Sequence, residues 1–311
     1  MDRRLLVKVM GIAGSVALVD RARGAASAGR NTASAVTQTP QRGTPFLATS
    51  DGTRLYVQDF GAGRPIVFLS AWALDSRFWG SHMVALAAEG FRTVAFDRRG
   101  HGRSDAPSTG YDADTLAKDL ATVLNQLDLK NSVIVAHSIA SGEAVRYLST
   151  LNRARVSKLL LVAPTTPYIT KTDSNPEGVP VEMVTAMRQQ VARNFPAWVH
   201  DNEAPFFTAD TDPETRVWLK TMMLSMSLPI AVSFRDIASR TDFRDDLRAI
   251  EVPTLIIHGD KDVSAPLALT GARTQRLLRN CLLSVYEGAP HALPLTHRDR
   301  FLADVAAFSK S

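Results

Sequence analysis

The sequence predicts an α/β protein, a mostly parallel sheet flanked by helices with a helical segment inserted late in the chain. Three observations predict it. Short apolar runs alternate with amphipathic stretches from about residue 54 onward. Most of the later runs are apolar at nearly every position, as in Val133-Ile134-Val135-Ala136, which is the pattern of a strand covered on both faces. About ninety residues separate the run ending at Val162 from the run starting at Pro253, too many for one crossover helix. At 311 residues and 45% apolar content, the chain can bury one sizeable core as a single domain.

The chain opens with Asp2-Arg3-Arg4, then eleven uncharged residues from Val9 to Val19, then the small residues Ala26-Ser27-Ala28. Paired arginines, a modest hydrophobic segment and a small-x-small site resemble a twin-arginine export signal over 1–28, and the segment is too short to span a bilayer. Asp20, Arg21 and Arg23 interrupt its end, so an uncleaved basic tail on a cytoplasmic protein is the alternative to a periplasmic or secreted one. Residues 29–45, rich in Ser, Thr, Gln and Gly, read as a flexible leader.

Strands are expected at Arg54 to Asp59, Pro65 to Leu69, Phe91 to Phe96, Ser132 to Ala136, Lys158 to Val162, Pro253 to Ile257 and Leu282 to Tyr286. Leu55-Tyr56-Val57-Gln58 mixes polar and apolar positions and suits a sheet edge. Asp112 to Leu127 reads as a helix with Leu116, Leu120, Val123, Leu124 and Leu127 on one face. The core is assigned to 46–163 and 241–311, with 164–240 as an inserted cap. Trp198, Phe206, Phe207, Trp218, Met222, Met223 and Met226 suggest an apolar underside to that cap, and the other reading is that they only pack it onto the core.

Ser138 stands where the Val133 run turns into the next helical pattern. A sharp strand-to-helix turn lifts a serine hydroxyl clear of its neighbours beside a helix N-terminus, a nucleophile elbow. Such a turn needs small residues two before and two after the serine, and Ala136 and Ala140 are small, where the usual pattern has glycine. Gly142, one turn on, relieves packing. A buried serine ending a central strand is the bland alternative.

A serine nucleophile needs a base, and the base needs an orienting carboxylate. Asp260 and Asp262 both follow the Pro253 strand, and Asp260 is suited to bonding its own turn. No carboxylate follows the preceding strand, which reads Ala163-Pro164-Thr165-Thr166. His291 lies on a constrained loop, Glu287 to Leu293, after the last strand. Acyl transfer also needs two N–H donors for the oxyanion. The backbone N–H groups of Ile139 and Trp72 are the candidates, with the Trp72 ring as part of the substrate pocket.

These motifs together resemble the α/β-hydrolases, in particular the group of cofactor-free haloperoxidases, perhydrolases, and aryl and carboxyl esterases, over about residues 46 to 311. The resemblance rests on Asp97-Arg98-Arg99-Gly100-His101-Gly102-Arg103-Ser104, Ala136-His137-Ser138, Gly142 to Leu148, His258-Gly259 to Asp262, and Pro290-His291. It implies an eight-stranded sheet and favours Asp262 as the acid. The substrate pocket is expected to include Trp72, His137, Trp198, Phe206, Phe207, Trp218 and Met222. Two departures stand out. The family commonly has His-Gly before the oxyanion aromatic and often Pro after it, where this chain has Ser70-Ala71 and Ala73.

The expected activity is that of a serine hydrolase acting on a small carboxylic ester or lactone through an acyl-enzyme on Ser138. Perhydrolase or haloperoxidase-type activity, carbon–carbon bond hydrolysis or lyase chemistry at the same site, and non-catalytic binding are the alternatives. No cofactor is expected: Gly100-His101-Gly102 lacks the third glycine of a dinucleotide fingerprint, Asp105 standing there. Cys281 is the single cysteine, so neither an intrachain disulfide nor a cysteine-based metal site is expected. Asp97-Arg98-Arg99 reads as a loop brace paired within the protein rather than an anion site. Residues 1–28 carry five Lys/Arg and two Asp/Glu, so the remaining chain is formally +2 rather than +5. Neither nucleic-acid binding nor membrane insertion after signal removal is expected. The oligomeric state stays open.

Overall fold

Eight strands form one sheet: β1 (Phe46–Ala48), β2 (Arg54–Gly61), β3 (Pro65–Leu69), β4 (Arg92–Phe96), β5 (Ser132–His137), β6 (Val156–Val162), β7 (Thr254–Gly259) and β8 (Cys281–Tyr286). Their order is β1-β2-β4-β3-β5-β6-β7-β8. Strands β3 to β8 run parallel, while β2 is antiparallel to β4 and β1 antiparallel to β2. The computed structural model describes residues 45–311 apart from residue 152, so the signal expected at 1–28 and all but Pro45 of the expected leader lie outside the described residues.

The residue pattern alone yields seven strands. The three-residue β1 is too short to show alternation, and it displaces β2 from the edge position that its mixed composition suggested. At the other edge, β8 exposes Leu282 (69%) and Val285 (41%), so that apolar run is not covered on both faces.

Helices α1 (Gly80–Ala88), α2 (Ala113–Gln126) and α3 (Ala140–Thr150) connect the first parallel strands. Between β6 and β7 lie α4 (Val181–Arg193), α5 (Phe195–Asp201), α6 (Pro213–Leu224) and α7 (Leu228–Arg240), followed by α8 (Arg244–Ala249), which packs on α3. The chain finishes with α9 (Gly271–Leu277), α10 (Leu293–Thr296) and α11 (Arg298–Lys310). Helix α2 starts where its sequence directs, with Asp112 Oδ1 accepting the Thr115 N–H at 2.9 Å.

Period-two alternation divides the central strands between two cores. Ile66, Phe68, Val133, Val135, Leu160 and Val162 pack with Met83 and Leu86 of α1 and Phe301 and Val305 of α11. Val67, Leu69, Ile134, Ala136, Leu159 and Leu161 pack with Leu120 and Val123 of α2 and Ala144 and Val145 of α3. A continuous apolar run is therefore two interleaved half-patterns, each facing its own helical layer.

Candidate active site

Adjacent strands β3 and β5 lead into helices on opposite faces, α1 into the first core and α3 into the second. Their loops part at the carboxyl ends of the strands and open a crevice, where ligands bind in open α/β sheets. Ser138 lies on one side of it and the Ser70–Leu74 loop on the other.

The backbone of Ser138 has φ +59°, a left-handed conformation that costs a non-glycine residue about 1–3 kcal/mol. It is pinned on both sides: the Ser138 N–H donates to Val162 O at 2.8 Å, and Ser138 O accepts the Ser141 N–H at 3.0 Å. Ala136 and Ala140 are fully buried beside the turn. A Cβ at position 142 would stand 2.5 Å from Cζ of Phe243, so glycine lets that ring close against α3.

His291 Nε2 lies 2.9 Å from Ser138 Oγ, and His291 Nδ1 lies 2.6 Å from Asp262 Oδ2. The other oxygen of Asp262 accepts the N–H groups of Ser264 (2.9 Å) and Ala265 (2.8 Å). His258 Nε2–H donates to Ala265 O at 2.8 Å and lies 3.3 Å from Asp262 Oδ2. Burial alone would raise the pKa of Asp262. The facing His291, the bonds from His258 and His291, and the Ala265 N–H outweigh burial and hold the carboxyl well below its ordinary range. Asp260 is exposed; its carboxylate pairs with Lys261 at 3.7 Å but takes no backbone N–H of its own turn. It accepts the Gly288 N–H at 2.7 Å and so anchors the loop that carries His291.

Neither the N–H of Trp72 on the facing loop nor that of Ile139, beside Ser138, has an intramolecular acceptor among the described residues. The loop is held from behind. Arg98 donates to Ser70 O at 2.8 Å and, through Nε at 3.1 Å, to the buried Glu143 of α3. One guanidinium thus ties the Trp72 loop to the helix that follows Ser138. Arg99 pairs with Asp119 of α2 at 2.6 Å, and Asp97 accepts the N–H groups of Ser76 and Arg103, both at 2.8 Å. The cluster is a brace whose arginines pair with helices α2 and α3 rather than with Asp97.

A cavity of about 310 Å3 opens beside Ser138 and His291. Of the expected pocket residues it is lined by Trp72 and Phe206, together with Met223. The other five lie elsewhere. His137 is the last residue of β5 and points away from Ser138. Its Nε2–H donates to His291 O at 3.1 Å, and burial first, then the His291 charge, lowers its pKa to about 3, so it is a neutral support. Trp198 packs edge-on against the Trp72 ring at 5.3 Å, behind the wall. Phe207 is buried under Arg216, whose guanidinium sits 5.0 Å from the ring centroid. On α6 the cavity face is Leu219 and Met223, four residues apart. Met222 is turned toward the β3 loop, where its sulfur lies 3.5 Å from the Asp75 N, and Trp218 turns outward. Arg235, Met183 and Met187 line the cavity without having been singled out. The i, i+4 spacing of Met183 and Met187 was visible, but nothing in the sequence says which face of α4 turns inward.

Residues 64–298 match the family described by the alpha/beta hydrolase fold. The chain is 38% identical to a non-heme chloroperoxidase of Streptomyces lividans, over 85% of this chain and 99% of that one. It is 34% identical to a bifunctional esterase/perhydrolase of Acinetobacter calcoaceticus, over 86% and 99%. Among solved structures, an esterase from Exiguobacterium antarcticum superposes with a TM-score of 0.82 at 31% identity, covering 86% of this chain and 99% of that one. A bromoperoxidase from Bacillus anthracis does so with a TM-score of 0.80 at 31% identity, covering 85% and 99%. With its sheet order, its strand-end loops and these relatives in agreement, the chain belongs to the α/β-hydrolase family.

Proposed function

We propose that this enzyme is a serine hydrolase that cleaves a small carboxylic ester or lactone. Ser138 Oγ attacks the carbonyl carbon while His291 Nε2 takes its proton. The N–H groups of Trp72 and Ile139 receive the oxyanion. The intermediate collapses to an acyl-serine as His291 returns the proton to the leaving alkoxide. Water then attacks with His291 again as base, releasing the acid and restoring Ser138. Asp262 orients His291 and stabilises its charged form. The observation that carries this reading is the unbroken chain Ser138–His291–Asp262, at 2.9 and 2.6 Å, opening onto a largely apolar cavity.

Ser138→Ala is expected to lower kcat for a short-chain aryl ester by about 10^3-fold or more with melting temperature essentially unchanged, since the hydroxyl makes one side-chain bond, to His291. Wild-type-like turnover by that variant would remove Ser138 from the reaction. Similarity to a non-heme chloroperoxidase and to an esterase/perhydrolase favours a second reading at the same site, in which hydrogen peroxide replaces water and the acid leaves as a peracid. Assaying peracid formation alongside acid release, with and without peroxide, separates the two.

A further inference from the structure

Among the described residues that line the cavity beside Ser138, one cation has neither a counter-ion nor a hydrogen-bond acceptor. Three charged residues of the cap line the cavity: Arg188, Arg235 and Asp236. Asp236 Oδ1 is already engaged, by Arg188 Nη1 at 3.4 Å and by Arg240 Nη2 at 3.0 Å. Arg235, by contrast, has no hydrogen bond and no ion pair among the described residues. Its guanidinium lies instead against two mutually perpendicular rings, its Cζ 4.6 Å from the Trp72 centroid and 5.0 Å from the Trp198 centroid.

Cation–π contact uses the charge of the guanidinium without supplying a carboxylate or carbonyl oxygen to its N–H donors. Those donors form a fork that matches a carboxylate in bidentate geometry. Arg235 is half-buried, and a charge withdrawn from bulk water without a counter-ion is costly, so an anion entering the cavity would offset that cost. Burial lowers the Arg235 pKa to about 10, and the group stays charged at neutral pH. The rest of the wall is largely apolar, with Met183, Met187, Leu219 and Met223 beside the polar Thr165, Ser239 and Ser264. One anionic group on a short apolar spacer is the chemistry this wall accommodates.

We propose that Arg235 binds a carboxylate on the substrate, so that the preferred ester or lactone carries a second, anionic carboxyl group separated from the reacting carbonyl by a short chain. This rests on the hydrolase reading above. Arg235 lies over the ring of Trp72, whose backbone N–H is the proposed oxyanion donor, so an anion held by Arg235 lies along the same wall as the reacting carbonyl.

The test compares p-nitrophenyl hemisuccinate, hemiglutarate and hemiadipate with neutral p-nitrophenyl esters of equal chain length. For at least one length the wild type is expected to favour the anionic ester in kcat/KM. Arg235→Gln is expected to lower the anionic-to-neutral ratio at least tenfold, chiefly through KM, and Arg235→Lys to recover part of it. A wild type that favours the neutral ester at every length, or a ratio that Arg235→Gln leaves within twofold, overturns the proposal. Titration of full-length Ser138→Ala with glutarate and adipate by calorimetry is independent of turnover. Binding weakened at least tenfold by adding Arg235→Gln supports the carboxylate site, and binding that the substitution leaves unchanged refutes it. Esters hydrolysed equally well by wild type and Ser138→Ala would defeat the hydrolase reading while the calorimetry still judges Arg235.

Discussion

Replacing Asp262 by asparagine tests the proposed chemistry at one proton. In the native site Asp262 Oδ1 accepts the Ser264 and Ala265 N–H groups, and Oδ2 accepts His291 Nδ1–H at 2.6 Å. Two backbone donors face one oxygen, so the asparagine carbonyl must stay with them. Its NH2 then faces His291 Nδ1. To avoid two donors in contact, the imidazole shifts its proton to Nε2, 2.9 Å from Ser138 Oγ. The ring then donates where it must accept. In a Ser-His-Asp protease the corresponding change lowers kcat by about 10^4, which at 1.36 kcal/mol per tenfold is about 5 kcal/mol of lost transition-state stabilisation. Asp260→Asn keeps an oxygen for the Gly288 N–H, and its expected effect is less than about threefold. The assay is kcat/KM on a short aryl ester below each variant's melting temperature. Asp262→Asn retaining activity within tenfold, or Asp260→Asn proving the more damaging change, would refute the reasoning.

Gly142→Ala places a Cβ 2.5 Å from Cζ of Phe243, and the overpacking is expected to cost about 1–3 kcal/mol in urea denaturation, outweighing the helix-propensity gain. Adding Phe243→Leu should recover most of the loss, and a stabilising Gly142→Ala would contradict the packing account. Acid stability should reflect three buried histidines, whose pKa values burial lowers from the ordinary 6.5 to about 4 (His82), about 3 (His101) and about 3 (His137). The unfolded chain binds protons at these groups before the folded one does. Stability is therefore present above pH 6.5 and lost as pH falls toward 4, by about 1.4 kcal/mol per pH unit for each histidine. Unfolding free energies that stay flat between pH 7 and 4.5 would contradict it.

The parallel sheet was legible because its strands are short apolar runs between amphipathic stretches, and both cores are encoded in the alternate positions of those runs. Ser138, Asp262 and His291 could be named because each follows a strand, and the strand order brings those ends to one edge of the sheet. Strand β1 escaped notice because three residues carry no period. The edge placement of β2 failed for the same reason, since a mixed pattern reports one open face and not which neighbour closes the flank.

The pocket was legible only in part. Composition marked the cap as rich in large apolar side chains, but a helix offers several faces, and docking onto the sheet selects among them. Leu219 and Met223 turn to the cavity while Met222 goes to the β3 loop and Trp218 to the outside. His137 stood next to Ser138 in sequence yet lies behind His291, because it ends β5 while Ser138 sits in the left-handed turn that follows. Arg235 gave no signal at all, since a charged residue on a cap helix reads as a solvated one until its neighbours are known. Local order along the chain determined the strands, the turn at Ser138 and the loop positions of Asp262 and His291. Which side chains share a cavity, and which charge is left without a counter-ion, was decided by tertiary packing, because it depends on contacts between segments far apart in the chain.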